Sequence, residues 1–303
     1  MLNRILANAL PYMPKKLIWI FSKRYIAGET IEDGIEVCAR LNQQGIEVTV
    51  DLLGEFVGTI EQVEENKKKY IEIIERFTSE GIVGNFSLKP TMFGLLIDKE
   101  VCLENIEEVA KKVSEKKSFL RIDMEDSQCV DKELEIYLLL QKKYPANVGL
   151  VLQAYMRRTM NDLMNLVNIQ TNGHPLNFRL CKGIYVEPKE VAFKSFEEVQ
   201  EHYINDLNYM FDHNMYVGIA THDKQLVEKA FEIIKEKNID KTKYEFQMLY
   251  GVTPELRSSI VKQGHKMRVY VPFGKDWFGY STRRLKENPK MATHIVKALF
   301  FRG

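Results

Sequence analysis

The chain has 303 residues, 45% of them hydrophobic, so it can bury a large core as one big domain or two small ones. Its 43 basic residues are balanced by 42 acidic ones, which argues against a nucleic-acid-binding protein and against an acidic solvating chain. The longest apolar run near the start, residues 17–21, is far too short to span a bilayer, although contact with a membrane surface stays open.

The cysteines and histidines show none of the usual metal-binding spacings. Four cysteines occur without a CxxC pair, and no signal-peptide pattern precedes them, so neither a zinc knuckle nor a disulfide framework is expected. The six histidines form no HxH or HExxH pair, so we predict no metal site. This cysteine usage fits a reducing, cytoplasmic compartment.

The first part of the chain, residues 1–43, is predicted to form short helices that pack on the rest of the protein. Residues 1–24 mix apolar side chains with lysine and arginine, so a basic amphipathic segment at a membrane surface is the alternative interpretation. Thr30 is expected to cap a helix, with Asp33 three residues later, and this helix stops at Gly45.

From residue 44 onwards, β-branched runs alternate with amphipathic helices, which is typical of an α/β fold. Strands are predicted over residues 46–53, 82–88, 119–124, 148–153, 177–181, 216–220, 245–249 and 267–271. Helices are predicted over residues 59–76, 99–114, 132–143, 159–169, 196–211 and 224–235, in a segment that Pro254 begins, and after the eighth strand.

Eight strand–helix units in about 250 residues match the number and size of a (β/α)8 TIM barrel. A doubly wound sheet is the alternative, but the chain lacks the glycine-rich nucleotide loop that such sheets use. We therefore expect a single domain, in which residues 1–43 pack on a catalytic barrel formed by residues 44–303.

Active sites of such barrels lie at the carboxyl ends of the strands, so polar residues there are candidates for chemistry. Buried charges at these ends are costly unless they are paired, so their recurrence at nearly every strand favours a functional site. The residues are Asp51, Glu55, Lys89, Asp123, Glu125, Gln153, Tyr155, Arg179, Lys182, Tyr185, Thr221, His222, Gln247, Tyr250 and Tyr270. Asp51, Glu55 and Glu125 are interpreted as structural. Neither a GxSxG elbow nor a Walker or Rossmann glycine motif accompanies them.

The eighth predicted strand leads into a helix that carries the adjacent pair Arg283 and Arg284. Tyr280 precedes the pair by three and four residues, so it lies on the same general side of that helix. Two neighbouring guanidinium groups repel each other unless an anion lies between them, which indicates a clamp for a carboxylate. A solvated basic helix end is the alternative, and Lys286 supports it.

Eight segments at the strand ends carry a pattern that resembles proline dehydrogenase. They are LKP at 88–90, IDMEDS at 122–127, LQAYMRRT at 152–159, RLCKGIY at 179–185, ATHD at 220–223, FQMLYG at 246–251, YVPFG at 270–274 and YSTRRLKEN at 280–288. Each segment alone is a weak signal, but RLxKGxY, QMLYG and YxxRRLxEN at these separations are together specific. The chain after about residue 30 resembles the short monofunctional bacterial members. The longer proline utilisation A proteins add an aldehyde dehydrogenase domain.

The resemblance implies non-covalent FAD on a distorted barrel without a Rossmann fold. By position, Arg179 is expected to approach flavin N5 and to stabilise the reduced flavin. Gln153 and Gln247 are expected to bond the isoalloxazine. Thr221 and His222 are expected to help hold the ribityl and pyrophosphate portion of FAD. Lys182 and Tyr250 are expected to belong to the same cofactor-binding shell.

The resemblance also implies a ligand for the arginine pair. Lys89, Arg283 and Arg284 are expected to bind the carboxylate of L-proline jointly, while Asp123 balances the surplus positive charge and orients one arginine. Tyr270 is expected to pack on the pyrrolidine ring near C4. The residues expected to close the pocket are Tyr185, Leu249 and Tyr280.

The implied reaction passes a hydride from C5 of proline to flavin N5 and yields 1-pyrroline-5-carboxylate. Arg179, Lys89 and Asp123 are the residues expected to take part in catalysis. A membrane quinone is the expected electron acceptor. Such an enzyme is expected in the cytoplasm, with peripheral contact at the inner face of the cell membrane left open.

Three other functions stay open at this stage. A 4-hydroxyproline dehydrogenase is disfavoured by the bulk of Tyr270, because hydroxyproline-using members resemble this pattern with a smaller residue there. A Schiff-base aldolase would use Lys89 or Lys182. A binding scaffold without enzymatic activity would lack key strand-end groups, and none of the matched groups is missing.

Overall fold

Eight parallel strands follow one another around a closed barrel in the part of the chain that the structure describes, which is residues 15–169 and 173–287. The structure is a computed structural model, and the side chains of residues 16, 17, 20, 21 and 283–287 lie outside the description. The strands are β1 Glu47–Leu52, β2 Gly84–Leu88, β3 Leu120–Ile122, β4 Val148–Gln153, β5 Asn177–Cys181, β6 Tyr216–Ala220, β7 Tyr244–Leu249 and β8 Met267–Phe273. Because β8 pairs with β1, the sheet has no free edge, and the predicted (β/α)8 barrel is confirmed.

Helices connect successive strands, and within residues 15–46 two helices precede the first strand. They are α1 Lys15–Ser22, α2 Ile31–Asn42, α3 Ile60–Ser79, α4 Lys99–Glu115, α5 Val130–Lys143, α6 Thr159–Leu166, α7 Phe196–Asp212, α8 Lys224–Glu236, α9 Pro254–Lys262 and α10 Trp277–Glu287. Short 3-10 turns span Pro90–Phe93 and Lys241–Lys243. Within the described ranges, no helix combines the length and the apolar character that crossing a bilayer requires.

Helix α3 shows how local sequence produces these elements. The Thr59 hydroxyl accepts a hydrogen bond from the backbone N–H of Gln62, and the Gln62 side chain accepts one from the backbone of Thr59. This reciprocal capping box satisfies two donors that the first turn of a helix leaves free. Val63, Tyr70 and Ile74 recur at helical spacing and are buried, so this face of the helix packs on the barrel.

Strand β8 runs two residues further than predicted, through Pro272 to Phe273. Proline supplies no N–H to a strand ladder, but its carbonyl can accept a hydrogen bond. The Pro272 carbonyl accepts one from the N–H of Ala27 at 2.9 Å, and the N–H of Gly274 donates to the carbonyl of Gly28 at 2.9 Å. Residues ahead of the barrel therefore support the end of its last strand.

The interior of the barrel is polar, whereas branched aliphatic side chains usually fill such an interior. The strand residues that face the helices are apolar and buried, as in Val48, Phe86 and Leu120. Across the interior, polar side chains from six strands hydrogen-bond to one another. They are Thr49 of β1, Asn85 and Ser87 of β2, Arg121 of β3, Asn177 and Arg179 of β5, Glu245 and Gln247 of β7, and Arg268 of β8.

Residues 15–30, here called the lead-in, pack against the start of α10. Trp19 of α1 lies 4.7 Å from Trp277 between ring centroids, and the indole N–H of Trp277 donates to the Glu29 carboxylate at 2.6 Å. These contacts belong to a buried apolar cluster that is separate from the main core. Its members are Ile18, Tyr25, Ile26, Leu53, Trp277 and Tyr280.

Candidate active site

A cavity of about 820 Å³ opens at the carboxyl ends of the strands, where a barrel active site is expected. Twelve of the fifteen residues predicted to form the site line it together. They are Lys89, Asp123, Gln153, Arg179, Lys182, Tyr185, Thr221, His222, Gln247, Leu249, Tyr270 and Tyr280. The barrel geometry brings them together because parallel strands all end at the same rim.

Lys89 is paired with a carboxylate in the floor of the site. Its Nζ lies 3.2 and 3.3 Å from the two carboxylate oxygens of Asp51, which is fully buried. Burial lowers the pKa of Lys89, but the negative charges of Asp51 and Asp123 outweigh burial and raise it. Burial raises the pKa of Asp51 to about 6 although Lys89 acts to lower it. Lys89 is therefore a fixed cation at the cavity wall.

Arg179 is held from two sides beside the same wall. Its Nη1 donates to Asp123 at 2.9 Å, and its Nε donates to the Gln247 side-chain oxygen at 2.6 Å. The guanidinium also lies over the ring of Tyr270, 5.1 Å from the centroid. Its remaining nitrogen, Nη2, is buried and has no hydrogen-bond partner among the described residues. An unpaired buried donor beside a cavity is suited to an acceptor on a bound molecule.

Asp123 gathers hydrogen bonds from three directions. Besides Arg179, the hydroxyl of Ser87 donates to it at 2.5 Å and the hydroxyl of Tyr270 donates at 3.0 Å. Burial and the charge of Asp123 raise the pKa of Tyr270 well above its ordinary value, so the phenol stays protonated as the donor. Asp123 was predicted to orient one arginine of the pair Arg283 and Arg284; among described side chains, the arginine that it holds is Arg179.

The two predicted glutamines are fixed by protein groups at the cavity wall. Gln247 accepts from Arg179 and donates through Nε2 to Glu245 at 2.7 Å. Gln153 donates through Nε2 to the backbone carbonyl of Glu125 at 2.8 Å. The oxygen of either amide keeps a lone pair as an acceptor position, because an amide oxygen has two lone pairs and Arg179 uses one of those on Gln247.

The rim of the cavity beyond β5 and β6 carries the ammonium group of Lys182, the hydroxyl of Thr221 and the imidazole of His222. Lys182 Nζ pairs with Asp223 at 2.6 Å and lies 4.5 Å from the ring centroid of Phe196. His222 Nε2 accepts from the backbone N–H of Leu249 at 2.8 Å, which fixes that nitrogen as the unprotonated one. This rim is suited to phosphate groups. Among the residues that the structure describes, no three His, Cys, Asp or Glu side chains lie together as a metal site requires.

Tyr250 was predicted to join the cofactor shell, but it is not among the residues that line the cavity. Its hydroxyl instead accepts from Arg40 of α2 at 2.9 Å. Tyr250 follows the last residue of β7, and its bond to Arg40 directs the hydroxyl towards α2. A role of Tyr250 in binding the cofactor stays a prediction.

The structure describes the side chains of the three acids interpreted as structural, but not those of the arginine pair. The backbone of Arg283 and Arg284 belongs to α10, but their side chains lie outside the described part of the structure. Asp51 takes part in the site through Lys89, and Glu55 lines the cavity. Glu125 does not line the cavity and fits the structural interpretation.

Glu125 and Glu133 form a buried pair of carboxyl groups behind the site. Thr91 donates to Glu125 through its N–H at 2.9 Å and its hydroxyl at 2.6 Å, and Glu133 accepts from the N–H of Glu125 at 3.0 Å. Burial raises the pKa of Glu125 to about 7. Burial and the neighbouring Glu125 raise the pKa of Glu133 well above its ordinary value.

Exchanging Glu125 for Gln will flatten the pH dependence of stability. A carboxyl group with a raised pKa stabilises the fold below its unfolded value of 4.5, and this stabilisation is lost as pH rises through about 7. Gln does not titrate, so relative to the parent protein E125Q should gain roughly 1 to 3 kcal/mol between pH 5 and pH 8. Urea unfolding at both pH values measures this, with Glu135→Gln, an exposed acid on α5, as control. Parallel curves for E125Q and the parent would contradict the assignment.

The sequence did not single out the residues that support the site from below. Ser87, Glu245 and Arg268 lie within strands, ahead of the carboxyl ends where a barrel active site is expected. A signal does exist in β7, where Glu245 and Gln247 alternate with Tyr244, Phe246 and Met248. In a soluble sheet such alternation usually directs the polar residues to water, whereas here they face the barrel interior.

Comparisons with known proteins agree with this architecture. A family model described as Proline dehydrogenase matches residues 35–297. Proline dehydrogenase 2 of Bacillus subtilis is 37% identical over 276 residues, which cover 91% of this chain and 89% of that protein. Proline dehydrogenase of Deinococcus radiodurans is 32% identical over 291 residues, covering 95% of this chain and 92% of that protein.

Among solved structures, proline utilization A (PutA) from Bdellovibrio bacteriovorus, inactivated by N-propargylglycine, has a TM-score of 0.87 at 22% identity. The match covers 95% of this chain and 37% of that one, so this chain spans little more than a third of PutA. At this identity the likeness concerns the fold, which is the same barrel.

Proposed function

The chain belongs to the proline dehydrogenase family, as its strand-end motifs predicted, and from this premise we propose that it oxidises L-proline to 1-pyrroline-5-carboxylate with non-covalent FAD. The family consists of oxidoreductases that act on proline. The observation that carries the proposal is the buried, unpaired Nη2 of Arg179 at the wall of the cavity. It offers a charge-assisted hydrogen bond to an acceptor such as flavin N5.

The residues present fit such a cofactor. Gln153 and Gln247 each keep a hydrogen-bonding position for the isoalloxazine, and Thr221, His222 and Lys182 form a rim suited to a pyrophosphate. A bound FAD would supply the hydride acceptor for C5 of proline. The cation of Arg179 stabilises negative charge on the reduced flavin, because it acts in a buried site with its partners already in place.

The substrate carboxylate is proposed to bind Lys89 together with Arg283 and Arg284. Lys89 has three donor positions and directs its charge to the cavity while paired with Asp51, so it can bind a second carboxylate. The cations around the substrate lower the pKa of the proline amine, so the neutral amine forms more readily, and water takes its proton. Tyr185, Leu249, Tyr270 and Tyr280 enclose the ring.

A Schiff-base aldolase fits the site less well. A Schiff-base lysine must be a neutral amine, which requires a lowered pKa. The pKa of Lys89 is raised by Asp51 and Asp123, and Lys182 is paired with Asp223. On the resemblance alone, we extend the proposal to a quinone as electron acceptor and to peripheral contact with the membrane that carries it.

A visible spectrum of the purified protein tests the proposed function. Flavin absorbance near full occupancy is expected, and it should bleach on anaerobic addition of L-proline and much less with 4-hydroxyproline. A colourless protein, or a flavin that L-proline leaves oxidised, would overturn the proposal. Covalent trapping by borohydride with a carbonyl substrate would favour the aldolase instead.

Exchanging Tyr270 for Ser should relax the preference for proline over 4-hydroxyproline. The Tyr270 ring is fixed by its bond to Asp123 and by the overlying Arg179, so it does not yield to a hydroxyl on C4. The ratio of kcat/KM for the two substrates should fall roughly tenfold or more. Tyr270→Phe keeps the ring and is the matched control. An unchanged ratio in Y270S would show that another residue sets the preference.

A further inference from the structure

A continuous chain of hydrogen bonds runs from Arg179 down into the barrel. Arg179 donates to the oxygen of Gln247 at 2.6 Å, and the nitrogen of Gln247 donates to Glu245 at 2.7 Å. Arg268 donates to both carboxylate oxygens of Glu245, at 2.6 and 3.0 Å. The hydroxyl of Tyr216 donates to the same carboxylate at 2.9 Å. Every link in this chain is a direct contact between side chains.

The charge of Glu245 determines which way the Gln247 amide points. Burial raises the pKa of Glu245, but Arg268 outweighs burial and lowers it to about 2, so the carboxylate is ionised and can only accept hydrogen bonds. The two ends of an amide are alike in shape, so a bonding partner must select the orientation. Glu245 takes the nitrogen end, and the oxygen end is thereby presented to Arg179.

The absence of a side chain at Gly218 leaves the space that the Gln247 amide occupies. Gly218 of β6 stands in register with Arg179 of β5 and Glu245 of β7. A Cβ atom at Gly218 would lie 2.4 Å from Nε2 of Gln247, well inside a van der Waals contact. The amide is therefore packed against bare backbone, and a single methyl group there would displace it.

Two anchors determine the plane of the Arg179 guanidinium. Asp123 holds Nη1 and Gln247 holds Nε, which leaves Nη2 as the unpaired donor beside the cavity. Without the acceptor on Gln247, the only hydrogen bonds left would be the one to Asp123 and a 3.4 Å contact with Ser87, and the guanidinium could rotate about them over the Tyr270 ring. We propose that Glu245 is a positioning residue that aims Arg179 at the bound cofactor through Gln247. This inference rests on the proposed function.

The exchange of Glu245 for Gln tests whether Glu245 positions Arg179 through Gln247. The replacement keeps the shape and removes the charge that orients Gln247. We expect kcat to fall roughly tenfold while KM for L-proline changes less than about twofold, because the carboxylate-binding cations are untouched. The midpoint potential of the bound flavin should become more negative, since a misaimed Arg179 stabilises the reduced form less. A structural defect alone would not produce this split.

Two further variants keep the test decisive. Gly218→Ala displaces Gln247 but retains every interior charge, so it should show the same loss of kcat and the same shift of potential, even if E245Q does not fold. Glu47→Gln removes the other carboxylate that Arg268 contacts and leaves Gln247 alone. It should match the parent protein in kcat and potential.

The inference fails if folded E245Q and G218A both keep the parent kcat and potential, or if E47Q loses as much as they do. Failure of the proposed function looks different, because the parent protein itself would then lack flavin or would not bleach with L-proline. The melting temperature and flavin content of each variant distinguish loss of the fold from loss of the Arg179 orientation.

Discussion

Arg179→Met will slow the reduction of bound flavin by L-proline about 10²- to 10³-fold, the usual cost of removing one donor that stabilises developing negative charge. Met has similar bulk and no donor, so Nη2 is lost without leaving a large void. Asp123 keeps its bonds from Ser87 and Tyr270, so its charge is not stranded. Anaerobic stopped-flow absorbance measures the rate.

The controls for this change are Arg179→Lys and Arg158→Met. Lys restores the charge but not the fork that contacts Asp123 and Gln247 together, so an intermediate rate is expected. Arg158 also follows a strand end, but it pairs with the exposed Asp131 and the buried Asp162 and does not line the cavity. R158M should react at the parent rate. A normal rate in R179M would remove Arg179 from the proposed mechanism.

Exchanging Arg283 or Arg284 for Met should raise KM for L-proline while FAD stays bound. Helix α10 follows β8 and brings Tyr280 to the cavity wall, so its next turn lies over the same face. Losing a charge-assisted bond to a carboxylate costs about 1.5 to 3 kcal/mol, which is roughly ten- to a hundredfold in KM.

Lys275→Met is the matched control for the arginine pair, because Lys275 is an exposed cation just ahead of α10. Steady-state kinetics give KM for L-proline, and the absorbance of each purified variant gives its flavin content. Flavin lost together with affinity, or a KM equal to that of K275M, would count against the clamp.

The succession of elements could be predicted because it depends on local pattern. The β-branched runs and capping residues identified all eight strands and the helices between them, with ends that coincide or differ by at most three residues. The collection of strand-end residues into one cavity followed from the geometry of a closed parallel barrel. Resemblance to a known family then gave those residues roles that pattern alone does not give.

The partners of the site residues could not be predicted, because they depend on how strands far apart in sequence come together. Lys89 meets Asp51 only because β1 and β2 are neighbours with a particular register. The bond between Arg40 and Tyr250 likewise joins positions 210 residues apart in the sequence. Glu245 and Arg268 were overlooked because polar residues within a strand ordinarily indicate contact with solvent.

The lead-in and α10 come from opposite ends of the chain, yet they share a small apolar cluster that is separate from the barrel core. Small satellite clusters open at lower free energy than a main core, so these two segments should exchange amide hydrogens as one cooperative unit. The helix that carries Arg283 and Arg284 is thus tied to the stability of residues 15–30. A substitution at Trp19, which does not line the cavity, would then change how often this helix detaches from the lead-in.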